Sequence, residues 1–374
     1  MSEKTSSGEK RRARRLRRKV RIVLYSAIGD FEGQIVDISR SGVRVLSTMP
    51  QPVLDELEVE LLGAEGKLRL PAQVSWHREY SRSGSKWRSE YGLRFAEERS
   101  ELPDYLFSYK GKALSSYLEK LSTIPNVILD LMAMLNDSRV SIAEISRKIS
   151  IDQVLVAYLL KVINSPLYGF HSTISSVSQA VSLLGYTNLK TVFMSYFTQQ
   201  LSHIAGNKAV REQLWRHALL TAVLARECAG LRKIPQEEAY IAGLLHDIGK
   251  PILITLDLGL FQEILRRSRE ENRAQVDLER EVFGFSHDVL ASYLMFRWNL
   301  DSIYSEAANF HHQPDEYPGS DPIVWNTALA NALAHTAADP GRLAPEAYWK
   351  MAGINPAAGP ELIEKSSQLL DSLL

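Results

Sequence analysis

Between Lys10 and Arg21, nine of twelve residues are Lys or Arg: Lys10, Arg11, Arg12, Arg14, Arg15, Arg17, Arg18, Lys19 and Arg21. Arginine carries a planar fork of donors that bonds phosphate oxygens two at a time, so the run is chemistry for an anionic partner. Alone it reads as a tail for nucleic acid or an anionic membrane. After one short strand-like stretch comes Asp37-Ile38-Ser39-Arg40-Ser41-Gly42. A carboxylate accepts hydrogen bonds and a serine hydroxyl adds one flexible bond. A glycine either supplies a turn with φ > 0 or lets another group come close. Taken by itself, Asp-x-Ser-x-x-Gly is an ordinary Asx-type turn.

The combination says more than its parts. Arg17-x-x-x-Arg21 together with Asp37, Ser39 and Gly42 resembles the signature of PilZ domains, small β-barrels that bind cyclic di-GMP. Val74-Ser75-Trp76 and Glu90-Tyr91-Gly92-Leu93-Arg94-Phe95 are similar to the later strands of that family. The resemblance implies a cyclic di-GMP ligand held by Arg17, Arg18, Arg21, Asp37, Ser39 and Gly42. Arginine forks would reach phosphate oxygens and guanine O6 and N7, and Asp37 would accept from guanine N1 and N2. Ligand would then draw a flexible leader onto the barrel. Arg11/Arg15 and Arg14/Arg18 share the same spacing; Arg17 and Arg21 are chosen for their closeness to the first strand. Trp76 and Trp87 could stack on a base but are read as packing residues.

Further along, Leu121-Ser122-Thr123-Ile124-Pro125, Asn164-Ser165-Pro166-Leu167-Tyr168-Gly169, Ala180-Val181-x-x-Leu184-Gly185 and Ala242-Gly243-Leu244-Leu245-His246-Asp247-Ile248-Gly249-Lys250 resemble the HDOD domain, an all-α relative of the HD metal-dependent phosphohydrolases. The likeness implies a divalent-metal site at His217, His246 and Asp247, closed in an active hydrolase by a distal Asp. Here Asn331 stands at that position. Asn is neutral and a poorer ligand for a hard or borderline cation, which argues against an enzyme and makes a bound metal doubtful. His287 and His311-His312, with Tyr317-Pro318-Gly319 nearby, are similar to the extra histidines of the cyclic di-GMP-hydrolysing HD-GYP subgroup. They are nonetheless read as hydrogen-bonded helix-terminal or core residues.

These residues need two kinds of scaffold. Val20–Tyr25, Gln34–Ile38, Gly42–Ser47, Glu56–Leu62, Lys67–Trp76 and Tyr91–Phe95 are short, Val-, Ile- and Leu-rich and punctuated by Gly, Pro and Asp, which suits a small barrel or sandwich, the PilZ resemblance implying an antiparallel barrel. From about residue 103 apolar positions recur at helical spacing, for example Val154, Tyr158 and Val162, or Leu214, Ala218 and Thr221. The expected division is a basic flexible leader over 1–16, a barrel over 17–100, a linker over 101–115, a helical domain over 116–320 and terminal helices over 321–374.

Bulk properties narrow the function. The 374 residues suffice for two or three domains. Net charge is zero, yet without the nine basic residues of the leader 35 positive charges face 44 negative ones, so wholesale nucleic-acid binding is not expected. No apolar run approaches the roughly 18 residues that cross a bilayer, and the N-terminus lacks the apolar segment of a signal peptide. The single cysteine, Cys228, excludes an internal disulfide, fits a reducing cytoplasm and reads as a buried inert thiol. The expected protein is a cytoplasmic, bacterial-type signalling molecule: a cyclic di-GMP sensor regulating a helical output domain that binds a protein partner. The competing reading is a ligand-regulated phosphohydrolase or phosphodiesterase.

Overall fold

The computed structural model describes residues 16–17, 21–27, 29–49, 56–63, 66–80, 86–98, 108–109, 112–113, 126–135, 137, 139–170, 172–203, 206–298 and 300–374. The chain divides into two compact units, 1–116 and 117–374.

The first unit is antiparallel β. Strands β2 (Arg21–Ser26), β3 (Gly29–Ser39), β4 (Gly42–Ser47), β5 (Glu56–Gly63), β6 (Gly66–Glu79) and β7 (Ser89–Phe95) pair in the order β3-β2-β5-β6-β7-β4, and β4 pairs back onto β3. The six strands therefore form a closed barrel without free edges. Alternation fills it: Val43 and Val45 on β4 are fully buried while Arg44 between them faces away from the core. Leu24, Ile35, Ile38, Val59 and Leu61 complete the interior, each worth about 1.5–3 kcal/mol of burial. A two-residue strand β1 (Leu16–Arg17) adds to β3 beyond the end of β2. The span read from sequence as a linker contains a small hairpin, β8 (Ser108–Tyr109) with β9 (Lys112–Ala113).

The second unit is helical. Its centre is α5 (Lys208–Arg232), packed against α6 (Gln236–Leu245) and α12 (Pro322–Ala338). Small residues set the spacing: Ala222, Ala225, Ala239, Ala242 and Gly243 are all buried. Before α5 come α1 (Asn126–Leu135), α2 (Ile142–Ile149), α3 (Gln153–Ile163) and α4 (Val177–His203), the last broken at Gly185. Ser141 and Glu144 form a reciprocal capping box that starts α2. After α6 follow α7 (Gly249–Leu256), α8 (Leu258–Glu270), α9 (Gln275–Phe283), α10 (His287–Arg297) and α11 (Ser302–Phe310). Beyond α12, α13 (Glu346–Ala352) and α14 (Gly359–Leu373) place Trp349, Ala352 and Leu362 in one core with Leu224, Cys228 and Leu333.

Two sequence expectations need adjustment. The face assigned to α3 through Val154 is wrong by one position, because Val154 is 61% exposed and the buried face is Leu155, Leu159, Val162 and Ile163. Asp152, as N-cap, accepts from the amides of Val154 and Leu155 and so fixes the helix start and its rotation. The stretch Gln236–Leu256 is long and apolar enough to cross a membrane, but 83% of its apolar window is buried inside the unit. It is core, interrupted by His246 and Asp247.

Candidate functional site

Two clusters gather the residues singled out by sequence, one in each unit. In the barrel, Asp37 owes its position to a β-bulge. The register of β3 against β4 slips between Ile35 and Asp37. Ile35 and Ile38, three apart, can therefore both enter the core, where a regular strand would put them on opposite faces. Asp37 is left opposite Arg44, off the core side. Arg44 Nε stands 2.6 Å from Asp37 Oδ2 and its Nη1 3.4 Å from Glu90 Oε1. Arg78 Nη2 reaches Glu90 Oε2 at 2.6 Å. The row Asp37–Arg44–Glu90–Arg78 thus alternates in charge. The Trp76 indole lies over Gly92 beside this row, where an added Cβ would fall 2.1 Å from its Nε1. Arg78 sits 5.9 Å from the indole centre.

The remaining expected ligand residues fall as follows. Backbone register places Arg17 directly opposite Asp37, and Arg21 opposite Gln34. Arg18 lies outside the described residues, as do the side chains of Arg17 and Arg21. Ser39 Oγ donates to the Gly42 carbonyl at 3.2 Å and is buried, so its hydroxyl closes the turn. Of the two roles expected of Gly42, close approach is the one seen, and what it lets approach is β7. The residue does not adopt positive φ; it is small because a Cβ there would lie 2.3 Å from the Leu93 carbonyl oxygen of β7. Arg44, Glu90 and Arg78 were not singled out from sequence. Their signal was the Val43-Arg44-Val45 alternation, which becomes informative only once the register sets Arg44 against Asp37.

In the helical unit, one carboxylate organises the second cluster. His246 and Asp247 lie at the break between α6 and α7. Close packing of Gly243 on α5, with a Cβ there only 2.8 Å from the Thr221 carbonyl oxygen, brings this break next to His217. Gly249 does the same on the other side, because a Cβ on it would meet the His287 carbonyl oxygen at 2.1 Å. Asp247 Oδ2 faces His246 Nε2 at 3.3 Å, His217 Nε2 at 3.5 Å and the Lys250 ammonium, which bonds it directly. Asp247 Oδ1 faces His287 Nε2 at 3.1 Å and His311 Nε2 at 3.5 Å. His312 Nε2 lies 3.0 Å from His287 Nε2.

The donor atoms fall into two sets, one of Asp247, His287, His311 and His312 and one of His217, His246 and Asp247, each within 4.8 Å. The expected His217, His246 and Asp247 are therefore neighbours, and Asn331 is beside them with Oδ1 3.1 Å from His217 Nε2. His287, His311 and His312, read from sequence as helix-terminal or core residues, are both that and part of the cluster. His287 opens α10 and His311 follows α11.

The polar shell fixes the tautomers. His246 Nδ1 donates to Gly243 O and His311 Nδ1 to Ala308 O, each at 2.6 Å, which turns each Nε2 toward the carboxylate. His287 Nδ1 and its backbone N–H both bond the buried Glu279, at 2.7 and 2.8 Å. Asp247 Oδ1, His246 Nε2 and His311 Nε2 are buried without a hydrogen bond, a state that costs about 1–3 kcal/mol per group. Burial opposes ionisation of Asp247, but His246 and Lys250 outweigh it and hold the carboxyl well below its usual range. Burial lowers His311 to about 4 and His217 well below its usual value. For His287 burial also acts downward, yet Glu279 prevails and raises it to about 9. The arrangement gathers imidazole nitrogens around one anionic carboxylate, backed by a second carboxylate and by carbonyl acceptors.

Comparison with known proteins agrees with this architecture. A family model for the HDOD domain matches residues 121–314, more than half of the chain, and one for the PilZ domain matches residues 9–108. The chain belongs to the HDOD domain family and carries a PilZ domain ahead of it. A curated, uncharacterized protein of Treponema pallidum (strain Nichols) is 25% identical over 228 residues, 59% of this chain and 43% of that protein. The chain thus spans less than half the length of that relative. Among solved structures, an HDOD domain protein of unknown function from Geobacter sulfurreducens is 24% identical with a TM-score of 0.58, covering 69% of this chain and 95% of that one. A candidate phosphohydrolase from Shewanella amazonensis SB2B is 20% identical with a TM-score of 0.55, covering 70% and 98%. These likenesses establish the fold of the helical unit.

Proposed function

We propose that this chain is a cytoplasmic signalling protein in which the PilZ barrel binds cyclic di-GMP and thereby regulates the HDOD unit, which acts by binding a protein partner. The observation that carries the sensing half is the β1–β3 register, with Arg17 opposite Asp37. That pairing brings the Arg17 backbone alongside Asp37, and a guanine dinucleotide needs donors for phosphate and an acceptor for the base. The Asp37–Arg44 pair supplies charge of both signs at one point, and the Trp76 ring offers a surface for stacking. Regulation follows as a population shift, in which ligand favours the conformations it binds best.

Calorimetric titration of the full chain tests the sensor. Cyclic di-GMP is expected to bind the parent protein, and the Arg17→Ala/Arg21→Ala double variant is expected to lose binding with its barrel folded. Equal affinity in the two proteins refutes the reading.

One observation favours a second reading, metal-dependent hydrolysis of a phosphoester: Asp247 turns each of its oxygens toward a different set of histidines. A bound metal would supply an activated water and charge neutralisation on the phosphoryl group, with His246, Asp247, His287, His311 and His312 as its holders. Asn331 weighs against it, since a neutral amide stands at the distal position. Phosphodiester turnover lost in a His246→Ala variant would establish it.

A further inference from the structure

Two partners compete for the Asp37 carboxylate. A guanine base offers N1–H and N2–H side by side, and a carboxylate accepts both only with both of its oxygens. Yet Asp37 Oδ2 is already faced by Arg44 Nε at 2.6 Å. The two side chains are 5% and 17% exposed, so the pair escapes most of the solvent screening that weakens surface ion pairs. A base that takes both oxygens has to displace a guanidinium.

The strand register shows where that guanidinium can go. Arg44 pairs with Asp37 on β3 and with Gly92 on β7, so a glycine faces it across β7. Its reach on that side is diagonal, to the buried Glu90, whose Oε1 lies 3.4 Å from Arg44 Nη1. Arg78, directly opposite Glu90 on β6, takes the other oxygen, with its Nε and Nη2 both 2.6 Å from Oε2. Glu90 therefore keeps one oxygen turned to Arg44 at more than a good hydrogen-bond distance. On the Asp37 side, Arg44 Nε is buried and makes no hydrogen bond: it stands close to the carboxylate without its N–H being aligned on it. The guanidinium thus has two seats, a short side-chain movement apart, and fills neither completely.

We propose that Arg44 is the gate of the cyclic di-GMP site: it holds Asp37 closed, and the arriving guanine transfers it to Glu90 Oε1. The inference rests on the sensor reading above and deepens it. Only a base with two adjacent donors gains enough from Asp37 to move the guanidinium, because a single neutral hydrogen bond replaces a charged contact poorly. An adenine edge, which presents one donor beside an acceptor, leaves the Asp37–Arg44 pair in place. Arg44 stays paired throughout, since it leaves one buried carboxylate for another, and so avoids the cost of a stranded buried charge.

Calorimetry on the full chain tests this, with cyclic di-GMP as the ligand and cyclic di-AMP as the control. Arg44→Gln removes the competitor and is expected to tighten cyclic di-GMP binding about threefold or more, whereas Glu90→Gln removes the second seat and is expected to weaken it by a similar factor. In Arg44→Gln/Glu90→Gln the second substitution is expected to have almost no further effect, because nothing is left to transfer. A side chain that merely held the barrel together would weaken binding when replaced. Cyclic di-AMP is expected to bind far more weakly than cyclic di-GMP. Where a variant fails to fold by circular dichroism, a crystal structure of the parent protein with cyclic di-GMP decides, with Arg44 expected within hydrogen-bond distance of Glu90 Oε1 and clear of Asp37. Equal or weaker binding in a folded Arg44→Gln variant, cyclic di-AMP bound as tightly as cyclic di-GMP, or Arg44 still on Asp37 in the complex would each overturn the gate and leave the sensor standing. No binding of cyclic di-GMP by the parent protein would overturn the sensor reading and the gate with it.

Discussion

Arg44 shows how much a single side chain holds in place. Its guanidinium neutralises Asp37, whose side chain is 5% exposed, and also touches the buried Glu90. Removing one partner of a buried ion pair strands the other charge and typically costs about 3–5 kcal/mol. Arg44→Ala should therefore destabilise the barrel by roughly that amount in urea denaturation. Arg40→Ala, which breaks only the exposed 3.7 Å pair with Glu98, should change stability by less than about 0.5 kcal/mol. Equal effects would show that the Arg44 pair is not what organises the site. Cys228 gives a second residue-level check. Burial pushes its thiol up to about 12. A raised folded value contributes stability below the thiol's ordinary range and loses it as pH climbs toward 12. At pH 8 the native protein should leave a thiol reagent unreacted, and unfolding in denaturant should expose one equivalent. At this scale Asp37, His246, Asp247 and the substituting Asn331 were legible because each sits in a recognisable string. His287, His311 and His312 carried a likeness to the extra histidines of the HD-GYP subgroup, but that likeness discriminates weakly in sequence, and only the fold shows them gathered at one carboxylate.

Between elements, the structure depends on places where backbone must touch backbone. Gly249 begins α7 against the first residue of α10, and the contact is what brings Asp247 to His287. A methyl there meets a carbonyl oxygen, not a flexible side chain, so helices must separate. Gly249→Ala should cost about 1–3 kcal/mol, as overpacking does, and should weaken any metal binding along with the melting temperature. A variant as stable as the parent would mean that the two helices do not need this approach. Strand positions were largely legible, since Val-rich runs ended by Gly and Pro mark them well. What escaped was β3 before Gln34, where Asp30 and Glu32 are exposed and carry no apolar alternation. The bulge at Ile35–Asp37 escaped too, because one extra residue leaves no compositional trace. The α3 face was misplaced by one position because its rotation is set by the Asp152 cap and not by the periodicity alone.

At the scale of the whole molecule, the division into a barrel and a helical unit followed from a change of period, from two residues to between three and four. Joining two families in one chain is what gives the proposal its content: a sensor is useful only if something downstream responds. Neither unit's geometry alone establishes that response, so the decisive observation must read both units at once. Hydrogen exchange followed by mass spectrometry on the full chain, with and without cyclic di-GMP, does this most directly. The account predicts slower exchange across residues 16–47, where β1 pairs with β3 and the Asp37 turn closes, together with altered exchange in at least one helix between 126 and 374. Exchange unchanged at 16–47, or changed there while every helix stays as it was, would contradict the claim that the barrel senses a nucleotide on behalf of the helical unit.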